Sequence, residues 1–183
     1  MTRNGCLLRG WRALRLTAIA VAVGGVLCAA VARAEVIDRV LAVVAGQLIT
    51  LTDVRAAIDL RLQTADGAAD PVRAVLSKLI DRELVLAEVE RYAPAEPAAD
   101  AVDREVQRVR ARFESAAAMD AALARSGIDE IYLRETLRED LRIRAYLDQR
   151  FTAASVSRQA LLDDWLTGLR RRGEVIDLYL SAR

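Results

Sequence analysis

The sequence predicts a mainly helical domain with a small β-hairpin near its start and a strand at its C-terminal end. The β-branched run at residues 36–44 suits a strand, and Ala45-Gly46 and Leu48-Ile49 suit a tight reversal and a short return strand. Most of the chain that follows repeats its apolar residues with helical period. The other strand-like run spans residues 174–180. Since a lone hairpin is marginal in water, we expect the two ends of the chain to meet and the helices between them to form the body.

The first 34 residues have the pattern of a secretory signal peptide. Four arginines precede an uncharged apolar run at residues 16–31, and Ala32-Arg33-Ala34 places small residues at the cleavage positions. The arginines are Arg3, Arg9, Arg12 and Arg15. The apolar run is shorter than the roughly 20 residues that a spanning helix needs, which favours cleavage over an uncleaved anchor. We therefore expect cleavage after Ala34, a periplasmic location and no stable membrane insertion afterwards.

Removal of this segment changes the composition that bears on function. Five of the 27 basic residues and none of the 26 acidic residues lie in it, so residues 35–183 carry a net charge of −4. A mildly acidic chain with interspersed signs has no electrostatic footprint for nucleic acid. Cys6 and Cys28 also lie in the segment, so the remaining 149 residues form no disulfide. That length is enough for a single domain stabilised by its packed core.

Capping residues and apolar spacing divide the body into helices. The first begins at the Thr50/Asp53 capping-box spacing and runs to about Leu62, and the second spans residues 72–92 behind the Asp70-Pro71 start signal. The broad apolar stripe of the second helix indicates a central packing helix. Further helices are expected at residues 100–115, from the Ser115 cap to Gly127, from Asp129 to Phe151, and, after a joint at residues 152–155, up to Gly173.

The closing strand has an alternating apolar pattern. Ile176, Leu178 and Leu180 fall on one face, which predicts that this face packs on the core. The strand is therefore expected to be structural, because its loss would expose the edge of the hairpin.

Candidate chemical groups are sparse. Three pairs of adjacent carboxylates, at residues 129–130, 139–140 and 163–164, are interpreted as solvated faces and helix caps, because helix neighbours point apart and the chain has no histidine. The row Arg104, Arg108, Arg112 is interpreted as an exposed, salt-bridged face rather than an anion site. Serine nucleophiles lack a histidine to activate them. We expect no catalysis, no metal and no cofactor.

Three motifs give the chain a resemblance to a known family. They are the hairpin with the I-T-x-x-D-V helix start (residues 49–54), L-x-x-L-I-D-R-E-L-V-L (residues 76–86) and W-L-x-x-L-R-R-R-x-E-V-I-D-L (residues 165–178). Together they resemble the N-terminal module of SurA-type periplasmic chaperones. The resemblance implies a mostly helical module, similar in shape to the chaperone domain of trigger factor. In the SurA-type family this module holds unfolded outer-membrane proteins in the periplasm.

The chain departs from that family at one point. Members usually carry one or two parvulin prolyl-isomerase domains before the closing helix, whereas only residues 152–155 stand in that gap here. Parvulin sites in the family use histidine, which this chain lacks. The resemblance therefore does not carry isomerase activity to this chain.

Function is then expected to rest on apolar binding surface. The candidate residues for contact with clients are Val106, Val109, Phe113, Met119 and Tyr132, although burial statistics favour ordinary core for any single one of them. The sequence predicts a non-catalytic chaperone-like module for unfolded or outer-membrane proteins. One alternative is a dedicated adaptor or scaffold that binds a single envelope partner, and another is a prolyl isomerase with an unrecognised site. The sequence leaves the oligomeric state open.

Overall fold

A computed structural model describes residues 38–152 and 155–179 of the chain. In this range the protein is mainly helical with one small antiparallel sheet, as the sequence predicts. The elements in order are β1 (Val40–Val44), β2 (Gln47–Thr50), α1 (Leu51–Asp59), α2 (Pro71–Tyr92), α3 (Ala99–Arg110), α4 (Ala116–Ser126), α5 (Glu130–Arg150), α6 (Ser155–Arg172) and β3 (Val175–Asp177). The predicted signal peptide, part of the joint at residues 152–155 and Leu180 lie outside the described residues.

The sheet joins the two ends of the described chain, which confirms that prediction. Its strand order is β2-β1-β3, with both pairings antiparallel. Ala45 and Gly46 both have positive φ, 50° and 85°, as a two-residue hairpin turn of the primed type requires. The Ala45 N–H donates to the carbonyl oxygen of Glu174 at 2.9 Å, so the turn itself is tied to the start of β3.

The closing strand packs on the core with the opposite face from the one expected. Val175 and Tyr179 pack against the core, whereas Ile176 and Leu178 are exposed. The prediction of a buried Ile176/Leu178/Leu180 face was therefore wrong for the residues that the structure describes. Tertiary contacts select the face: the Tyr179 hydroxyl donates to the Asp70 carboxylate at 2.8 Å, and Asp177 pairs with Arg73 at 2.5 Å. Val175 and Tyr179 can face inward although the charged Asp177 lies between them, so the alternation of apolar residues did not identify the buried face.

Most helix starts and stops lie where the capping residues predict. The Thr50 hydroxyl accepts from the Asp53 N–H while the Asp53 carboxylate accepts from the Thr50 N–H, which completes the capping box. Asp70, Ser115 and Asp129 likewise cap α2, α4 and α5 through their side chains. Gly127 ends α4 at φ 75°.

Two helices are shorter than predicted. Helix α1 ends at Asp59 instead of about Leu62, and Arg61 takes a left-handed φ of 56° just after it. Helix α3 ends at Arg110 instead of Ser115. The Arg61 and Arg112 guanidinium groups each donate to the other residue's carbonyl oxygen, both at 2.5 Å, which satisfies carbonyls beyond the two helix ends.

Helix α2 is the centre of the packing, as its broad apolar stripe predicts. It contacts α1, α5, α6 and both hairpin strands. One core cluster joins the sheet, α2 and the facing sides of α5 and α6, including Leu41, Leu76, Val89, Tyr146 and Leu169. A second cluster lies among the end of α1, α3, α4 and the first half of α5.

Candidate functional site

Three of the five predicted contact residues are core residues. Val106, Val109 and Met119 are almost fully buried in the second cluster, so they line no surface in this conformation. Phe113 is half-buried beside that cluster, and the Arg61 guanidinium lies 5.3 Å from its ring centroid. Tyr132 is 43% exposed. The expectation that these residues share an exposed apolar patch is therefore wrong for the three buried ones, and Tyr132 alone of the five lines a cleft.

That cleft opens between β2, α1, α2 and α5 and has a volume of about 230 Å³. Its lining contains both apolar and ionisable side chains. The apolar lining comprises Leu48, Ile49, Ala56, Ala57, Leu62, Leu79, Ile128 and Leu133, and the ionisable lining comprises Asp53, Arg82, Glu83, Tyr132, Glu135, Glu139 and Asp140. We call it the Arg82 cleft, after its central and mostly buried cation.

Arg82 organises the ionisable part of the lining. Its Nε donates to Asp140 at 2.7 Å, its Nη1 to Glu83 at 2.7 Å, and its Nη2 to Glu139 at 2.8 Å and to the Thr136 carbonyl oxygen at 3.1 Å. Helix α2 supplies the arginine and Glu83, and α5 supplies the other acceptors, so the network joins the two longest helices of the described chain. Burial alone would lower the pKa of Arg82, but the carboxylates of Asp140 and Glu139 raise it, and the side chain remains a cation.

Glu139 and Asp140 correct the interpretation of adjacent carboxylates as solvated faces. Both are partly buried and converge on one guanidinium, whereas Asp163 and Asp164 are exposed as expected. In the third pair, Asp129 is the α5 cap, and Glu130 pairs with Arg110 at 2.7 Å. Convergence is possible because a guanidinium presents donors over a wide fork, so helix neighbours need not point the same way to reach it.

Glu83 carries the least favourable charge of the network. Burial raises the pKa of its carboxyl above the usual range, and Arg82 opposes that effect. Glu139 and Asp53 raise the pKa further because they are like charges nearby. One guanidinium is thus surrounded by more negative charge than it neutralises.

Tyr132 and Asp53 form a second hydrogen-bonded group in the lining. The Tyr132 hydroxyl donates to Asp53 Oδ1 at 2.5 Å, while Asp53 Oδ2 accepts from the Thr50 N–H at 2.7 Å. Burial, followed by this hydrogen bond, raises the pKa of the Tyr132 phenol, so the ring stays neutral and donates. Asp53, which completes the capping box of α1, therefore also orients an aromatic ring from α5.

An apolar row extends from the cleft across the solvent side of the sheet. Val43 of β1 lies directly opposite Leu48 of β2 on one side and Ile176 of β3 on the other. Directly opposite residues of an antiparallel sheet share a face. Leu48 and Ile176 are 59% and 50% exposed, and Leu48 also lines the cleft, so the row and the cleft form one surface.

The chemistry of this surface suits binding. Among the described residues, no group of histidine, cysteine, aspartate and glutamate is arranged to hold a metal ion. No helix in residues 38–152 or 155–179 is long and apolar enough to span a bilayer. The carboxylates can accept hydrogen bonds from a cationic or amide donor, and the apolar wall can cover a hydrocarbon side chain.

Sequence reasoning missed Arg82 as the centre of this site. A usable signal was present, because the I-D-R-E segment places charges between the apolar residues of α2, and a charge buried there requires partners. The row of three arginines was read correctly at two positions: Arg104 pairs with Asp100 at 2.5 Å, and Arg108 pairs with Glu105.

No protein-family model matches the chain, and a search of curated proteins finds no relative.

Proposed function

We propose that the protein is a non-catalytic, chaperone-like module that binds unfolded or outer-membrane polypeptides in the periplasm. The observation that carries the proposal is the continuous surface formed by the Arg82 cleft and the apolar row. A folded chain that leaves Leu48 half-exposed at an open cleft, and Ile176 half-exposed at the other end of the apolar row, has a place for an extended partner segment.

The position of β2 supports the same proposal. It is an edge strand of the described sheet, with β1 as its neighbour, and it borders the cleft through Gln47, Leu48 and Ile49. Edge strands present backbone N–H and C=O groups to which an extended peptide can pair, with little regard for its sequence. Backbone pairing at β2 would allow clients of many sequences to bind, while the cleft beside it would hold one or two of their side chains.

The resemblance to SurA-type modules supports the choice of client. The motifs at residues 49–54, 76–86 and 165–178 form the hairpin and helix start, the central helix, and the closing helix and strand. The hairpin, α1, α2 and β3 carry part of the cleft lining and the apolar row, and α5, which lies outside these motifs, completes the cleft. The signal-peptide pattern in residues 1–34 supports the periplasmic location.

Aggregation of an unfolded outer-membrane protein, followed by light scattering, tests the proposal. The protein should suppress it, and Leu48→Ser should weaken suppression about fivefold, because roughly 1 kcal/mol of apolar burial is lost. Leu161→Ser is the matched control: Leu161 is 50% exposed on α6 and does not line the cleft, so its replacement should leave suppression unchanged. Equal effects of the two substitutions would contradict the assignment of this surface.

Prolyl isomerisation provides the test of the non-catalytic part. The uncatalysed reaction takes tens to hundreds of seconds, so modest catalysis by the protein would be visible. A proline-dependent acceleration would make the protein an isomerase. Failure to suppress aggregation, together with saturable capture of one folded envelope protein, would instead identify a dedicated adaptor.

A further inference from the structure

We propose that the Arg82 cleft selects client segments in which a lysine or arginine lies next to a large apolar residue. The inference rests on the proposed function and names the chemical class of segment that the cleft takes. The apolar wall would hold the hydrocarbon side chain, and the carboxylates beside it would accept the cationic group.

The charge of the lining is the first argument. Five carboxylates line the cleft against one guanidinium, those of Asp53, Glu83, Glu135, Glu139 and Asp140. Arg138, which does not line the cleft, pairs with Glu135, and four carboxylates remain for Arg82. An acidic segment entering this space would meet like charge at short range, whereas a cationic one would meet complementary charge.

The unused acceptors are the second argument. Arg82 bonds to one oxygen each of Glu83, Glu139 and Asp140. Within residues 38–152 and 155–179, no hydrogen bond reaches the second oxygen of any of these three groups. Asp53 differs, because Thr50 and Tyr132 occupy its two oxygens. An incoming ammonium or guanidinium therefore finds acceptors on α2 and α5 without displacing Arg82.

The apolar wall is the third argument. Leu48, Ile49 and Leu79 line the same cleft as the carboxylates. An apolar wall lowers the local dielectric, so the attraction between a cation and the carboxylates is stronger here than on an open surface. Lysine and arginine also have hydrocarbon stems that can lie along such a wall while the charged end reaches the carboxylates.

The chemistry of the lining disfavours other occupants. The described residues hold no cluster suited to a metal ion, and an acidic lining repels the phosphates of nucleic acid. A second copy of this chain could also offer an arginine, and the experiment below distinguishes that case.

Three short labelled peptides that differ at one position test the proposal. Each has the same apolar neighbour, and the variable position holds lysine, its uncharged analogue norleucine, or glutamate. Binding to the mature full chain is followed by fluorescence anisotropy. The lysine peptide should bind about tenfold more tightly than the norleucine peptide, and the glutamate peptide more weakly than both. The advantage of lysine should shrink as salt is raised, because salt screens partly exposed charges.

Variants assign the selectivity to the cleft. Glu139→Gln should reduce the advantage of lysine while leaving norleucine binding nearly unchanged, and Asp163→Asn, an exposed change on α6, should leave both unchanged. Circular dichroism reports whether each variant folds. If a variant does not fold, the comparison of the three peptides on the unmodified protein still tests the selectivity for lysine.

The outcomes separate the inference from the proposed function. Equal binding of all three peptides, weakened by Leu48→Ser, would overturn the charge selectivity and leave the proposed function standing. No binding of any peptide, with no suppression of aggregation, would overturn both. Lysine selectivity that persists in Glu139→Gln and in Glu83→Gln would place it elsewhere on the molecule. Self-association that competes with the lysine peptide would assign the cleft to a second copy and overturn the client proposal.

Discussion

Replacement of Gly173 by alanine should destabilise the joint between α6 and β3. A Cβ at this position would lie 2.4 Å from Leu84 Cδ2 and 2.9 Å from the Leu169 carbonyl oxygen. Leu84 is buried in α2, so its methyl group cannot move into solvent, and the Leu169 oxygen belongs to the backbone of α6. Gly173 also donates its N–H to that oxygen at 2.6 Å, so a shift would strain the bond that ends the helix. Inserting a methyl group into such a space costs about 1–3 kcal/mol.

The same helix provides a matched control. A Cβ at Gly168 would meet the end of the flexible Arg172 side chain, 3.0 Å from Nη1, which can move aside. Gly168 lies inside α6, where alanine is favoured over glycine by about 0.5–1 kcal/mol. Gly168→Ala should therefore raise stability while Gly173→Ala lowers it. The two variants add the same methyl group and differ in what surrounds it.

Chemical unfolding followed by circular dichroism measures both effects. For a domain of this size, each kcal/mol should also move the melting temperature by about 2–4 °C. Combining Gly173→Ala with Leu84→Ala tests the cause, because removal of the Leu84 side chain should cost less when the extra methyl is present. Stability of Gly173→Ala equal to that of the unmodified protein, or additive costs in the double variant, would refute the close contact with Leu84.

Three further outcomes follow from the contacts. Arg82→Met should cost about 3 kcal/mol in chemical unfolding near neutral pH, because it leaves partly buried carboxylates without their cation, and a cost below about 1 kcal/mol would argue against the network. Hydrogen bonds from the Arg73 N–H and the Tyr179 hydroxyl lower the pKa of Asp70, so its contribution to stability is present above the unfolded pKa of about 3.9 and is lost as pH falls through the lower folded pKa. Asp70→Asn should therefore remove part of the acid dependence of the unfolding free energy, and an unchanged pH profile would contradict this. Ala45→Gly should raise the free energy of unfolding by up to about 1 kcal/mol, because alanine is strained at its φ of 50°, and calorimetry would detect a change of that size.

The amino-acid sequence by itself determined the local structure. Thr50 with Asp53, Asp70 with Pro71, and Gly127 each act within three or four residues, through a capping hydrogen bond or a preferred φ. Such interactions need no knowledge of what lies across the fold, so helix starts and the hairpin turn were predictable. The sequence also placed a strand at each end of the body, because β-branched runs occurred only there.

The tertiary structure alone decided which polar groups meet and which apolar groups are buried. Arg82 and its acceptors Glu139 and Asp140 are 57 and 58 residues apart, and they meet because α2 packs against α5. Val106 and Met119 show helical spacing that fits either a buried or an exposed face, and only the neighbouring α1 and α5 make it a buried one. The face of β3 was ambiguous in the same way. Capping depends on contacts between near neighbours in the chain, whereas the cleft depends on how separate helices pack, and a hydrophobic period does not encode that choice.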